Sequence, residues 1–210
     1  MDYLITKSNR RPYAEAVKAM ESENSKPVLI WGGTGIGKTA LLRQAEREGK
    51  TRWPDKNVDY IKTGDWTRLL CSSICARDEE NFREYFREEV DILLLDELET
   101  VYSREATCME LISMVQYRAE QGKITILASA KRPDLFAARY RKTFGEDSLK
   151  LCRMLRPDRE MREMALNLLC REMSITLSDR EREELLEQPV KGLGTLRGLL
   201  ARQKAAIEFT

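Results

Sequence analysis

Eight consecutive residues near the start of the chain have the types and spacing that bind the phosphates of a nucleotide. Residues 32–39 read Gly-Gly-Thr-Gly-Ile-Gly-Lys-Thr and match the pattern G-x-x-x-x-G-K-[ST] at every fixed position. Glycines let successive backbone N–H groups point at an anion, and a following helix adds its positive N-terminal dipole. We predict a nucleoside triphosphate site formed by Gly32, Gly33, Thr34, Gly35, Ile36, Gly37, Lys38, Thr39 and Ala40.

Two side chains of this loop carry the expected chemistry. Lys38 would place a full positive charge on the β- and γ-phosphates, and the hydroxyl of Thr39 would ligate Mg²⁺. The alternative is a glycine-rich turn that matches the pattern by chance. A strand-like run at 28–31 and a helix-like run at 40–45 flank the loop, and this strand–loop–helix context favours phosphate binding.

A second segment, residues 91–97, indicates hydrolysis. It reads Asp-Ile-Leu-Leu-Leu-Asp-Glu, an apolar run typical of a central parallel strand that ends in two adjacent carboxylates. Carboxylates there are costly to bury without a cation. We predict that Asp96 holds Mg²⁺ together with Thr39, and that Glu97 is catalytic with Lys38, orienting and deprotonating the attacking water. The alternative is a solvated acidic turn after the strand.

The elements that must position these motifs alternate along the chain. Strand patterns fall at 28–31, 58–61, 91–95 and 124–128, with a possible fifth at 149–152, and helix patterns lie between them. This order predicts an α/β fold of the P-loop NTPase class, with a five-stranded parallel sheet sandwiched by helices over residues 1–156. Helices in this part are expected at 11–23, about 40–48, 65–75, 78–87, 105–121 and 134–142.

The composition changes after Pro157, where only helix patterns follow. Asp158 and Ser178 are expected to cap helices at 159–173 and 179–187, with Pro189 after the second, and a last helix covers 195–208. About fifty residues are too few for a confident independent core. We therefore predict a small all-α lid, residues 157–210, packed beside the nucleotide.

Composition excludes several other chemistries. The 210 residues include no histidine, which rules out a Ser-His-Asp triad, a Cys–His pair and a His-ligated zinc site. Thirty-six basic against thirty-five acidic residues give a net charge of +1, so no overall field attracts nucleic acid or membrane. The five cysteines are expected to be reduced and mostly buried. Without a signal-like or membrane-length apolar run, we expect a cytoplasmic protein with no membrane partner.

Three further segments carry a resemblance to a known family. Residues 81–87 resemble an extra helix before the acidic strand, 128–133 resemble a Ser-Ser-Asp-Arg-Pro strand end, and 195–202 resemble a Glu-Leu-Glu-Gly lid helix. Together with the two motifs, these are similar to the AAA+ ATPases of the DnaA type, which include Hda regulators and DnaC-type helicase loaders. The resemblance implies binding and slow hydrolysis of ATP to ADP with Mg²⁺.

The chain departs from this family pattern at three functional positions. Ala130 occupies the position of the family's sensor-1 acid. Sensing of the nucleotide would therefore pass to Ser129 or Lys131, or be lost. The sensor-2 arginine falls on Gly194, and Arg197, one helical turn later, would either replace it or face solvent. The arginine finger falls on Thr143. Arg139, Arg141 or Lys142 would then take the place of the missing finger arginine. Alternatively, these three residues form a solvated basic face.

The resemblance also implies partners. The nucleotide state would govern self-assembly or contacts with another AAA+ protein, a replicative helicase or single-stranded DNA. Lys62, Arg68 and Trp66 are candidate contacts to a single strand, although Trp66 is the better candidate for the core. Because the sequence ends at Thr210, we expect no helix-turn-helix domain for reading duplex DNA.

Two other functions fit the same residues. One is a nucleotide-gated adaptor with little turnover, which the departures at the sensor and finger positions favour. The other is a transposition helper ATPase of the IstB type, which shares this core. A kinase is a weaker interpretation because the Asp-Glu pair suits a water molecule better than an acceptor hydroxyl. The absence of an Asn-Lys-x-Asp motif favours ATP over GTP.

Overall fold

The computed structural model describes residues 3–22, 26–188 and 192–208, with side chains described up to residue 204. Its centre is a five-stranded sheet in the order β2-β3-β4-β1-β5, with every neighbouring pair parallel. This confirms the predicted fold class and the fifth strand. The strands are β1 (Val28–Trp31), β2 (Val58–Lys62), β3 (Ile92–Asp96), β4 (Ile124–Ser129) and β5 (Lys150–Arg153).

Alternation along the strands divides the sheet's core in two. Leu93 and Leu95 of β3 pack into one hydrophobic cluster, while Ile92 and Leu94 pack into another on the opposite face. Both faces are therefore covered, as an apolar central strand requires. The covering helices are α1 (Arg10–Glu21), α2 (Lys38–Arg52), α3 (Thr63–Ala76), α4 (Glu79–Glu84), α5 (Glu105–Glu120) and α6 (Asp134–Phe144).

Short irregular turns complete the core. Two 3₁₀ turns cover Leu98–Val101 and Glu146–Ser148, and a π-helical turn covers Tyr85–Glu89. The prediction of one helix over 78–87 is therefore wrong. The helical path widens after α4, where the N–H of Val90 bonds the Tyr85 carbonyl at 3.1 Å, five residues earlier.

The C-terminal helices pack around a hydrophobic cluster of their own. They are α7 (Arg159–Met173), α8 (Asp179–Glu187) and α9 (Leu193–Glu208). Both predicted caps are confirmed, because Asp158 accepts from the Met161 N–H at 2.8 Å and Ser178 forms a capping box with Glu181. Pro189 lies outside the described residues. The division at 156/157 stays a prediction, supported by the cluster of Ala165, Leu166, Leu185, Leu186, Leu196 and Leu200.

The cysteines differ in part from expectation. All five are free, as predicted. However, only Cys108 and Cys152 are buried, while Cys71 and Cys75 are exposed, so the prediction of mostly buried thiols is wrong. The reason is that α3 buries the face of Trp66 and Leu70, and the i, i+4 spacing puts both exposed thiols together on the opposite face.

Candidate nucleotide-binding site

The glycine-rich loop joins the end of β1 to the start of α2, as the sequence predicts. Gly37 precedes α2 with a φ of 105°, a left-handed conformation that glycine adopts without strain. At Gly32 a Cβ atom would lie 2.5 Å from the Met154 carbonyl oxygen, so the close packing of the loop also requires glycine. The loop backbone is therefore held in a shape that side chains at these two positions would disrupt.

Lys38 lies along the inside of this loop. Its ammonium donates to the carbonyl oxygens of Gly32 and Gly33, both at 2.7 Å, and only 8% of the residue is exposed. Burial lowers the pKa of Lys38, while the nearby carboxylates of Glu99 and, less strongly, Asp96 raise it. The charge is thus held at the loop, where a phosphate would approach.

Thr39 and Asp96 bring the two sequence motifs into contact. The Thr39 hydroxyl donates to Oδ2 of Asp96 at 2.6 Å, and Tyr60 donates to the same oxygen at 2.9 Å. A hydroxyl and a carboxylate oxygen side by side are hard ligands of the kind that Mg²⁺ prefers. The residues therefore fit the predicted metal. Among the described residues there is no group of three or more carboxylates or cysteines, so water and phosphate oxygens would complete the coordination.

Glu97, the predicted catalytic base, lies on the outer side of this site. Its φ is 58°, and its carboxylate pairs with Lys62 at 2.8 Å, at the end of the edge strand β2. Both side chains are nearly half exposed, so the ion pair contributes little stability. The role predicted for Glu97 requires its carboxylate to leave Lys62 and turn toward the phosphate loop.

The end of β4 carries a hydrogen-bond network around the sensor-1 position. Ser129 is fully buried, and its hydroxyl accepts from Tyr102 and donates to the Lys131 carbonyl, both at 2.8 Å. The backbone N–H of Ala130 donates to Glu99 at 2.8 Å. Ser129 thus has its hydrogen bonds within the protein, and a carboxylate from the neighbouring turn lies beside Ala130.

The candidate finger residues on α6 are partly engaged within the chain. Arg139 pairs with Glu105 at 3.2 Å, and Arg141 donates to the Leu149 carbonyl at 3.3 Å. Lys142 is exposed. The hydroxyl of Thr143 donates to the Arg139 carbonyl at 3.1 Å, so this position presents no cation.

A cavity of about 480 Å³ lies between the phosphate loop, the N-terminal segment and the lid. Its apolar wall includes Leu4, Ile36 and Met161, and Arg197 reaches it from α9. The lid also touches the loop directly, since the Leu193 N–H donates to the Gly35 carbonyl at 3.2 Å. The cavity adjoins the loop, and Arg197 is the sensor candidate that the structure brings to it.

Sequence reasoning missed several residues of this region. Tyr3 and Leu4 line the cavity, but nothing in the pattern of the N-terminal segment indicates a ligand. Tyr60, which donates to Asp96, was also missed, because the alternation in β2 shows only that residues 60 and 62 share a face and not which strand they adjoin. Trp66, named as a stacking candidate, is fully buried and belongs to the core.

Comparison with known proteins decides the family. The profile of the bacterial DnaA ATPase domain matches residues 2–144, more than half of the chain. The chain belongs to the family of bacterial DnaA ATPase domains. Among curated relatives in this family, the chromosomal replication initiator DnaA of Crocosphaera subtropica is 28% identical over 211 residues, covering 99% of this chain and 46% of its own length. The chain thus spans about half the length of the curated relatives it matches.

Solved structures of DnaA proteins have the same fold. Domain III of the Thermotoga maritima DnaA superposes with a TM-score of 0.84 at 23% identity, over 99% of this chain and 87% of that one. A DnaA bound to AMPPCP and single-stranded DNA gives 0.81 at 24% identity, over 96% and 63%. The DnaC helicase loader is more distant, at 0.56 and 19% identity over 73% and 93%. No helix in the described part of this DnaA-family chain is long and apolar enough to cross a membrane.

Proposed function

We propose that this DnaA-family domain binds ATP with Mg²⁺ and hydrolyses it slowly to ADP. The observation that carries the proposal is the 2.6 Å contact between Thr39 and Asp96, which joins the phosphate loop to the acidic strand. Loop amides and Lys38 would neutralise the phosphates, and Thr39 and Asp96 would hold the metal. Bound Mg²⁺ would supply charge neutralisation at the transferring phosphoryl group.

We further propose that the nucleotide state acts on a DNA-replication partner through the lid. The cavity is bounded by both the phosphate loop and residues of α7 and α9, so a bound nucleotide would contact both. Relatives of this fold include a DnaA bound to single-stranded DNA and a helicase loader, which supports a helicase, an initiator or single-stranded DNA as the partner. Among the lid residues we propose Arg197 as the nucleotide sensor, because it is positively charged and lines this cavity.

A nucleotide-gated adaptor with little turnover is the second candidate. The contacts of the candidate finger residues on α6 favour it. Arg139 and Arg141 have partners within the chain, and Thr143 carries no charge. An adaptor would bind ATP as tightly but release the phosphate on a much slower timescale. Measuring ATP binding and phosphate release separately distinguishes the two candidates.

The test of nucleotide binding is the variant Lys38→Ala, measured by titration calorimetry with ATP and Mg²⁺. Loss of a charge-assisted hydrogen bond of about 1.5–3 kcal/mol should weaken ATP binding by roughly ten- to a hundredfold. Lys50→Ala is the matched control, because Lys50 lies on the same helix but is 56% exposed and pairs with Glu46. Equal affinities for the two variants would contradict the proposed site.

A further inference from the structure

The helix α7 lines two separate cavities with its two faces. Residues spaced i, i+3, i+4 and i+7 share one face of an α-helix. Four residues with this spacing line the cavity beside the phosphate loop: Ala165, Leu168, Leu169 and Glu172. A second cavity, of about 510 Å³, is lined by four residues with the same spacing on the opposite face: Asn167, Cys170, Arg171 and, just past the helix end, Ser174. The described linings share no residue, so a ligand in the second cavity would not occupy the first.

The chain that follows α7 completes the second cavity. Ser174 ends the helix in the left-handed conformation, with a φ of 53°, and the turn after it brings Thr176 to the cavity. The next helix, α8, contributes Arg182, whose guanidinium donates to Oδ1 of Asn167 at 2.5 Å. Burial raises the pKa of the Cys170 thiol, and the positive charge of Arg182 acts in the opposite direction. The guanidinium of Arg182 is therefore held beside the residues of α7 that line the cavity.

The polar side chains that line this cavity are all able to donate hydrogen bonds. Arg171 and Arg182 are charged donors, and Ser174 and Thr176 carry hydroxyls. Because Oδ1 of Asn167 accepts from Arg182, the amide nitrogen of Asn167 is left to donate. No carboxylate is among the described residues of this lining. Such a set of donors is suited to an anion.

The two arginines also lack the ion pairs that other arginines of the lid form. Arg159 and Arg180 each pair with a glutamate of α8. Within the described part of the chain, Arg171 has no ion pair, and the one side-chain partner of Arg182 is a neutral amide. Glu172, the acidic neighbour of Arg171 in the sequence, lines the cavity on the other face of α7. Both positive charges are therefore available to a ligand.

We propose that this cavity is a second anion site, which binds a phosphate dianion, either free or as the end of a small phosphate ester. Two guanidinium groups balance its two negative charges, and the planar fork of each can donate to two phosphate oxygens. The described lining contains no aromatic ring on which a nucleotide base could stack and no apolar wall for a lipid chain, so nucleic acid and lipid are poorer fits. This site is additional to the proposed ATP site and does not rest on it.

The experiment titrates inorganic phosphate into the full chain with ADP·Mg²⁺ present and follows backbone amide signals by NMR. ADP keeps phosphate away from the glycine-rich loop, whose amides would also bind it. Signals of Ser174, Ile175 and Thr176 should shift and saturate. Glycerol 3-phosphate, titrated in the same way, distinguishes the source of the phosphate. Tighter binding of the ester would identify a phosphate ester as the ligand, and equal or weaker binding would identify free phosphate.

The variants Arg171→Met and Arg182→Met should each weaken phosphate binding by at least about tenfold, because each removes charge-assisted hydrogen bonds. Their ATP affinities should equal that of the parental protein, since neither arginine lines the nucleotide cavity. Arg180→Met is the matched control, because Arg180 lies on α8, is 89% exposed and pairs with Glu184. Arg171 has no side-chain bond to lose within the described residues, so its variant still tests the site if Arg182→Met does not fold.

Three results would overturn the proposal. The first is the absence of saturable shifts at Ser174, Ile175 and Thr176 up to about 10 mM phosphate. The second is equal phosphate binding by Arg171→Met and Arg180→Met. The third is tighter binding at these residues of a single-stranded oligonucleotide or of anionic lipid vesicles than of either small phosphate. The comparison of variants does not depend on bound ADP, because both arginines lie outside the nucleotide cavity.

Discussion

At the scale of single residues, the orientation of Asp96 depends on a phenol that lies outside both motifs. Tyr60 donates to the same carboxylate oxygen that accepts from Thr39, and the guanidinium of Arg43 stacks over its ring at 3.4 Å. Burial and then the charge of Asp96 raise the pKa of Tyr60 above its usual range, so the phenol remains a donor at neutral pH. We therefore expect Tyr60 to act by orienting Asp96.

The variant Tyr60→Phe tests this positioning role. Removing a hydrogen bond that orients a metal ligand typically weakens metal binding by about ten- to a hundredfold. We expect the Mg²⁺ concentration needed for half-maximal ATP binding to rise about tenfold, with little change in melting temperature. Tyr85→Phe is the control, because Tyr85 is an exposed tyrosine that donates to a carboxylate outside the site, that of Asp59, at 3.3 Å. An unchanged Mg²⁺ requirement in Tyr60→Phe would exclude the role.

At the scale of elements, one buried arginine joins the π-helical turn to the sheet. Arg118 of α5 is fully buried and donates to the carbonyls of Phe86, Val90 and Ile124 at 2.6–2.8 Å, and to Thr125 at 3.0 Å. Burial lowers its pKa to about 10, which leaves it charged at neutral pH. It supplies donors to carbonyls that the irregular turn leaves without helical partners.

The variant Arg118→Met should therefore destabilise the fold. Methionine fills similar space but leaves several buried carbonyls unpaired, so we expect a loss of about 2–4 kcal/mol in the free energy of unfolding. Urea denaturation measures it. Arg68→Met, whose side chain is 80% exposed, should change stability by less than about 0.5 kcal/mol. Equal stabilities of the two variants would show that the carbonyls find water instead.

The regular elements were predictable because they repeat a pattern, and the exceptions break it. An apolar run predicts β3, and an amphipathic segment with a capping residue predicts α7. The carbonyls of the π-helical turn accept hydrogen bonds from Arg118, a residue type that the sequence alone would place on the surface of α5. The loop, Thr39 and Asp96 were predictable from a motif, whereas the left-handed backbone of Glu97, with a φ of 58°, corresponds to no pattern in the sequence.

At the scale of the whole molecule, the residues around Thr143 decide whether one copy of the protein can complete the ATP site of a second copy. An ATP site completed by a neighbour needs a cation that can reach it. Thr143 is uncharged, and Arg139 and Arg141 bond within the chain, so of the three candidate cations only the exposed Lys142, a residue before the finger position, has no such bond described. We expect light scattering at micromolar protein to give the same mass with ATP·Mg²⁺ and ADP·Mg²⁺.

Growth to larger species with ATP alone would contradict this expectation. It would mean that a cation of α6 leaves its partner in the assembly, since the Arg139–Glu105 pair is exposed and therefore weak. Arg139→Ala, Arg141→Ala and Lys142→Ala would then identify which one is used. In that case self-assembly, rather than a separate partner, would be the output of the nucleotide state.

The bond between Leu193 and Gly35 has a mechanical consequence. It ties the first turn of α9 to the phosphate loop, and a Cβ atom on Gly192 would lie 2.2 Å from the Gly35 oxygen, so the two backbones are in direct contact. The sixteen residues of α9 extend roughly 24 Å from that point. A tilt of about 10° at the loop would therefore displace the far end by about 4 Å. If a bound nucleotide shifted the loop, even a sub-ångström adjustment there would be enlarged at the far end of α9, where a partner protein would meet it.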